Sequence, residues 1–164
     1  MRRHVATGLL VVAFSLIAAF GARSSDVTRS GPLPACRANV RHTILPVWMR
    51  GGFSGPNPRM AYTVGKTGQI GGALFGWPLR SPPLPDRGNK ILWVPRNVPK
   101  GVAPLWIRLQ KMSGAQPIGA PVRRIIKTGP GPSIVDVPSA GCWRATLTWS
   151  GRRDTLDLVY TAPS

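Results

Sequence analysis

The stretch that decides the fold is residues 142–149, which read CWRATLTW. Apolar side chains occupy every second position from Trp143 to Trp149. The positions between them are held by Arg144, Thr146 and Thr148. Successive side chains of a strand point to opposite faces, so this alternation predicts a half-buried β-strand. A turn over residues 150–154 and a second alternating run to Tyr160 then predict that the chain closes with a β-hairpin.

Short segments of the same character extend back from this hairpin to residue 60. We predict strands in residues 60–64, 69–77, 90–95, 104–112, 118–127 and 134–137. The chain has 19 Gly and 18 Pro, which interrupt helices and form turns. Seven or so short strands without a helical pattern predict an all-β, two-sheet sandwich domain over residues 60–162.

The N-terminal segment has the pattern of an export signal. Arg2 and Arg3 precede an uncharged apolar run from Val5 to Phe20, and small residues follow it. We predict a signal peptide over residues 1–21, with cleavage as late as residue 24 as the alternative. An uncleaved anchor is less favoured, since a span needs about 20 apolar residues. The expected location is secreted or extracytoplasmic.

The two cysteines, Cys36 and Cys142, are expected to form one disulfide outside the cytoplasm. Two unpaired buried thiols are the alternative. Lipidation of Cys36 is less favoured, because a dozen polar, Gly and Pro residues separate it from the apolar run. Residues 22–59 show little periodicity and predict an irregular arm that the disulfide ties to the sandwich.

The charge is strongly one-sided, with 22 Lys plus Arg against five Asp and a net charge of +17. Such a field attracts polyanions, among them phosphate-bearing envelope polymers, anionic lipids and nucleic acids. The alternative is that the arginines are compositional and scattered over the surface.

Trp106 and Arg108 form an aromatic–cation pair on the outward side of a predicted strand. The alternative is that Trp106 is covered, either by the arm or by the second sheet. The arginines that could complete a basic face are Arg123, Arg124, Arg144, Arg152 and Arg153.

Enzyme chemistry finds little support in the sequence. A glycosidase needs two carboxylates in different environments, and the one close acidic pair, Asp154 and Asp157, is expected to be solvated at a hairpin turn. A serine or cysteine nucleophile needs a base, and His42 is the only histidine beyond the predicted signal. Two Cys and two His lack the spacing of a metal site. We therefore expect no catalytic residue, no metal and no cofactor.

Several longer motifs resemble a family of small secreted proteins of high-GC Gram-positive bacteria. The motifs are Leu45-Pro46-x-Trp48-x-Arg50-x-Gly52-Phe53, Gly68-Gln69-Ile70-x-Gly72-Ala73-Leu74-Phe75-Gly76, Asn89-Lys90-Ile91-Leu92-Trp93-Val94-x-Arg96, Gly129-Pro130-Gly131-Pro132-Ser133-Ile134 and Gly141-Cys142-Trp143-Arg144. The resemblance covers residues 36–160 or so. It implies export and an immunoglobulin-like sandwich, and it implies no activity. The cysteine positions differ from those of antibody domains, because one lies at a strand start and the other in the arm.

These observations favour an exported, non-enzymatic binding or structural domain. Its expected ligand is an anionic cell-envelope polymer or a lipid headgroup, bound through the arginine-rich surface. The alternative is an extracellular interaction scaffold that pairs an edge strand with another secreted or membrane protein. A hydrolase is a remote third hypothesis. Sequence-specific nucleic-acid recognition is not expected, since no reading helix is predicted. The sequence leaves the ligand's identity and the oligomeric state open.

Overall fold

The computed structural model describes residues 35–98, 101 and 103–163. The predicted signal peptide and the first part of the arm lie outside these residues. None of the helical segments in the described ranges is long and apolar enough to cross a bilayer. The described elements are β1 (Arg41–Ile44), a 3₁₀ turn (Val47–Met49), β2 (Arg59–Val64), β3 (Ile70–Leu74), β4 (Lys90–Pro95), β5 (Leu105–Ser113), β6 (Gln116–Ile126), β7 (Pro132–Ile134), β8 (Gly141–Trp149) and β9 (Arg152–Tyr160).

The strands form two antiparallel sheets, which confirms the predicted all-β sandwich. Sheet A has the order β1-β2-β3-β4-β7, and sheet B has the order β6-β5-β8-β9. From β4 onward the connections are immunoglobulin-like. In this arrangement β4 pairs with β7 in one sheet, while β5 lies between β6 and β8 in the other. The chain passes from one sheet to the other three times along this part, so strands of the two sheets alternate in the sequence.

The main core lies between the sheets and is built from the apolar half of each alternating strand. In sheet B, Leu105, Ile107 and Leu109 of β5 are at most 1% exposed. Trp143 and Trp149 of β8 and Trp93 of β4 are equally buried. Burial of each such side chain stabilises the fold by about 1.5–3 kcal/mol. Because these residues face inward, the residues between them in β5 and β8 face outward from sheet B.

The arm is more regular than the sequence indicates. The prediction of an irregular segment over residues 22–59 is wrong for Arg41–Ile44, which pair with β2 as the outer strand of sheet A. The chain then folds back over the outer side of this sheet, where Leu45 and Met49 are fully buried in a second apolar cluster. Gly71 makes this close packing possible, since a Cβ there would lie 2.6 Å from the Met49 sulfur. The sequence pattern misses β1 because its four residues have three exposed side chains and no apolar alternation.

The predicted disulfide is present and joins Cys36 to Cys142 with the two Cα atoms 6.1 Å apart. Cys142 is the second residue of β8, and the Cys36 amide donates a hydrogen bond to the Gly114 carbonyl at the β5–β6 turn, 2.8 Å away. The start of the described chain is therefore fixed to sheet B both covalently and through its backbone.

Asp154 joins the last hairpin of the chain to an early one. Its carboxylate accepts hydrogen bonds from the amides of Thr67 and Gln69, in the β2–β3 turn, and from the amide of Thr155. The side chain is 2% exposed, so the expectation that Asp154 is solvated is wrong. A carboxylate is well suited to this position because it accepts several backbone donors that the turn leaves unpaired.

Candidate anion-binding face

The outward side of sheet B gathers several of the residues singled out in the sequence. Strand register places Trp106 of β5 opposite Thr148 of β8, and Thr148 opposite Arg153 of β9. Two residues further along β5, Arg108 lies between Arg123 of β6 and Thr146 of β8. We call this surface the basic face; its residues are Trp106, Arg108, Arg123, Thr146, Thr148 and Arg153. They line an open depression of about 290 Å³.

Trp106 is 56% exposed. The alternative that it lies beneath the arm or against sheet A is therefore wrong. Its neighbours Leu105 and Ile107 are buried, so the strand itself directs the indole outward. The exposed ring provides a flat apolar surface beside the arginines, and aromatic faces of this kind stack on other rings and on cations.

The three arginines of the basic face have no acidic partner among the described residues. The one ion pair recorded in the described ranges joins Arg144 and Asp157, outside this set. Arg108 donates a hydrogen bond to the neutral Gln110 side chain at 3.0 Å. Arg108 and Arg123 are directly opposite each other across β5 and β6. Like charges in such a cross-strand pair destabilise a sheet, so this arrangement favours an anion between them.

Three other candidate arginines have different surroundings. Arg124 lies at the rim of the depression, where its guanidinium donates to the backbone carbonyls of Arg123 and Asp136. Arg152 is opposite Trp149 in the register and donates to the Asn97 carbonyl, 3.5 Å away, so the structure does not bring it to the basic face. Arg144 is only 7% exposed and lines a neighbouring depression with Arg108 and Arg153, and its role in ligand binding stays a prediction.

Arg144 forms a buried ion pair with Asp157. Its Nε and Nη2 atoms donate to the two carboxylate oxygens at 2.8 and 3.0 Å. The Arg37 amide donates to the same carboxylate at 2.9 Å, because the disulfide-tied arm crosses this part of sheet B. The hydrogen bond to Asp157 raises the pKa of Arg144, while burial acts in the opposite direction. Asp157 is 5% exposed, so the expectation of a solvated carboxylate is wrong here too.

A second basic depression, of about 280 Å³, lies between the arm, β2 and β9. We call it the arm cleft. The cations that line it are Arg37, Arg41 and Lys66, and all three are exposed. Asn39 also lines the cleft and adds a side-chain amide. The sequence pattern gives no signal for this site, because two of its cations lie in the arm and the third in the β2–β3 turn. Only the pairing of β1 with β2 and the path of the arm bring them together.

His42 and Cys36, the residues considered for acid–base and nucleophilic chemistry, both make structural contacts. His42 is exposed in β1, and its ring makes an edge contact with Trp77 at 5.5 Å between centroids. Cys36 is held in the disulfide. No three His, Cys, Asp or Glu side chains in the described ranges lie close enough together to hold a metal ion.

Comparison of the chain with protein-family models, with curated proteins and with solved structures returns no match.

Proposed function

We propose that the protein is an exported binding domain, without enzymatic activity, that holds anionic cell-envelope polymers or lipid headgroups on the basic face. The observation that carries this proposal is the cross-strand pair of Arg108 and Arg123, which has no acidic partner among the residues that the structure describes. The disulfide is compatible with the extracytoplasmic location that the proposal requires. Membership in the secreted family that the motifs resemble is part of the same proposal.

The chemistry of the basic face suits an oxyanion. Arginine presents a planar set of N–H donors that binds phosphate, sulfate or carboxylate through two hydrogen bonds at once. Two guanidinium groups on adjacent strands can bind one anion together, and the charge of the anion then offsets the repulsion between the two arginines. The hydroxyls of Thr146 and Thr148 line the same depression and add donors and acceptors.

Binding of the disulfide-bonded protein to purified cell-wall material and to vesicles containing phosphatidylglycerol tests this proposal. Because the expected attraction is between charges, retention should fall steeply as salt rises. The double variant Arg108→Ala/Arg123→Ala should lose most of the binding. Arg59→Ala/Arg87→Ala removes the same charge from exposed positions outside the basic face and should bind nearly as wild type. Retention that is absent, independent of salt or equal in the two variants would contradict the proposal.

The alternative of an interaction scaffold that extends a sheet has less support. Sheet B has two outer strands, β6 and β9. Strand β6 carries Pro117 and Pro121, which cannot donate to a further strand, and the edge of β9 is partly occupied because its Thr155 carbonyl accepts a hydrogen bond from the Lys66 amide. In sheet A the outer strands are short, with four residues in β1 and three in β7, and β7 begins at Pro132. Such edges are poor templates for strand addition, so the basic face is the better-supported surface.

A further inference from the structure

We infer that the ligand is a linear acidic polysaccharide that extends from the basic face around β9 into the arm cleft. The inference rests on the proposed function and deepens it, because it names the ligand class and a second contact region.

The two depressions are connected through β9. Arg153, Thr155 and Asp157 occupy alternate positions of that strand and therefore share its outward side. The Lys66 amide donates to the Thr155 carbonyl at 2.8 Å, which places Lys66 beside the middle of this row. The Arg37 amide binds Asp157 at the end of the row that lines the arm cleft. Cations thus follow one another from the basic face to the cleft.

The exposed charged side chains along this path are cations. They are Arg123, Arg108 and Arg153 on the basic face and Lys66, Arg41 and Arg37 in the arm cleft. The carboxylate that it passes, Asp157, already binds the buried Arg144. A negatively charged chain laid along the path would therefore meet cations and little repulsion.

The dimensions of the path favour a polymer over a single headgroup. From Arg123 on β6 to Arg153 on β9 the path crosses three strand spacings, about 14 Å at ~4.8 Å each. From Arg153 to Asp157 it follows four residues of strand, about 13 Å at ~3.3 Å each. A single phosphate reaches two of these cations, and a flat bilayer that touched the outward side of sheet B could not also enter the cleft between β2 and β9. A flexible chain can contact both.

The aromatic content of the path favours a sugar chain over a nucleic acid. Single-stranded nucleic acids bind along rows of aromatic side chains on which successive bases stack. The basic face has one exposed aromatic residue in the described chain, Trp106, together with the hydroxyls of Thr146 and Thr148. One ring platform amid hydroxyls and arginines suits a polymer in which one sugar stacks and the acidic groups pair with the cations.

The test uses isothermal titration calorimetry with a heparin-derived dodecasaccharide and disaccharide as defined acidic glycans. The cleft variant is Arg41→Ala/Lys66→Ala, and the matched control is Arg59→Ala/Arg87→Ala. The cleft variant should bind the dodecasaccharide at least tenfold more weakly than wild type and bind the disaccharide unchanged, since the short ligand reaches only the basic face. Its plot of log affinity against log salt for the long ligand should be shallower by about 1.5, as expected for two lost ionic contacts. Circular dichroism and thermal unfolding establish that each variant is folded.

The outcomes separate the two proposals. Wild type that binds neither the glycans nor phosphatidylglycerol vesicles at low salt overturns the proposed function, whereas wild type that binds only the vesicles overturns the inference alone. Wild type that binds both glycans, with a cleft variant indistinguishable from the control, leaves the basic face as the binding site and overturns the extended path. Tighter binding to phosphatidylglycerol vesicles than to the dodecasaccharide would identify a membrane surface and also overturn the inference. A single-stranded oligothymidylate of equal charge is expected to bind more weakly than the dodecasaccharide, and tighter binding to it would overturn the choice of a glycan.

Discussion

Removal of the disulfide, by the double substitution Cys36→Ala/Cys142→Ala, is expected to lower the free energy of unfolding by roughly 4.8 kcal/mol. The sequence separation of the two cysteines is 106 residues. In the chain-entropy account, a cross-link that closes such a loop removes about 16 cal/mol/K from the entropy of the unfolded chain, which at 298 K corresponds to that free energy. Native domains are stable by about 5–15 kcal/mol, so the loss is comparable to the whole stability of a weak domain.

Urea unfolding followed by tryptophan fluorescence measures this loss, because buried indoles such as Trp93, Trp143 and Trp149 become exposed on unfolding. Wild type with the disulfide reduced serves as a second comparison, since it lacks the cross-link and keeps both side chains. Both reduced wild type and the double variant should unfold at clearly lower urea than the oxidised protein. A difference in the free energy of unfolding below about 1 kcal/mol in both would refute the argument, since it would mean that the cross-link does not restrict the unfolded chain.

Three further substitutions test individual contacts by the same unfolding measurement. Asp157→Asn should lower the free energy of unfolding by about 3 kcal/mol, because it removes the carboxylate that pairs with the buried Arg144. Adding Arg144→Met should recover part of this loss. No recovery would contradict the importance of the Arg144–Asp157 ion pair. Gly76→Ala should lower the free energy of unfolding by about 1–3 kcal/mol, since the added Cβ would lie 2.6 Å from a backbone oxygen. The control Gly51→Ala has open space around it and should change that free energy by about 0.5 kcal/mol or less. Equal effects of the two substitutions would contradict the packing around Gly76. Burial raises the pKa of Tyr160, so above about pH 10 the phenol ionises in the unfolded chain while it stays neutral in the folded one. The free energy of unfolding of the wild type should therefore fall by about 1.4 kcal/mol per pH unit relative to that of Tyr160→Phe. Parallel curves of unfolding free energy against pH would contradict this prediction.

The sequence predicts most of the sandwich because alternation is a direct consequence of strand geometry. In residues 142–149 and 104–112 every second side chain is apolar, and these side chains form the core of sheet B. The same alternation identifies Trp106 and Arg108 as outward-facing. It does not identify β1, because that strand is held by its pairing with β2 and presents exposed side chains.

The outward side of a strand is harder to interpret, because alternation does not show what covers it. Arg144 and Asp157 face outward, as predicted, yet the arm crosses them and turns them into a buried ion pair. Trp106 faces the same side and stays exposed. Pairs such as Arg108 with Arg123 depend on the register between strands, and the sequence alone does not fix that register.

The bridge between Cys36 and Cys142 also determines how the folded domain withstands proteolysis. A single cut of the backbone at any bond between these two residues leaves both pieces in one covalent molecule. The exposed connection around Pro85 and Asp86 is a site of this kind. The two pieces stay at the high effective concentration of an intramolecular pair, so their strands can remain paired after the cut. Release of a fragment requires a second cut within the same loop, and the nicked protein therefore persists as an assembled two-piece domain.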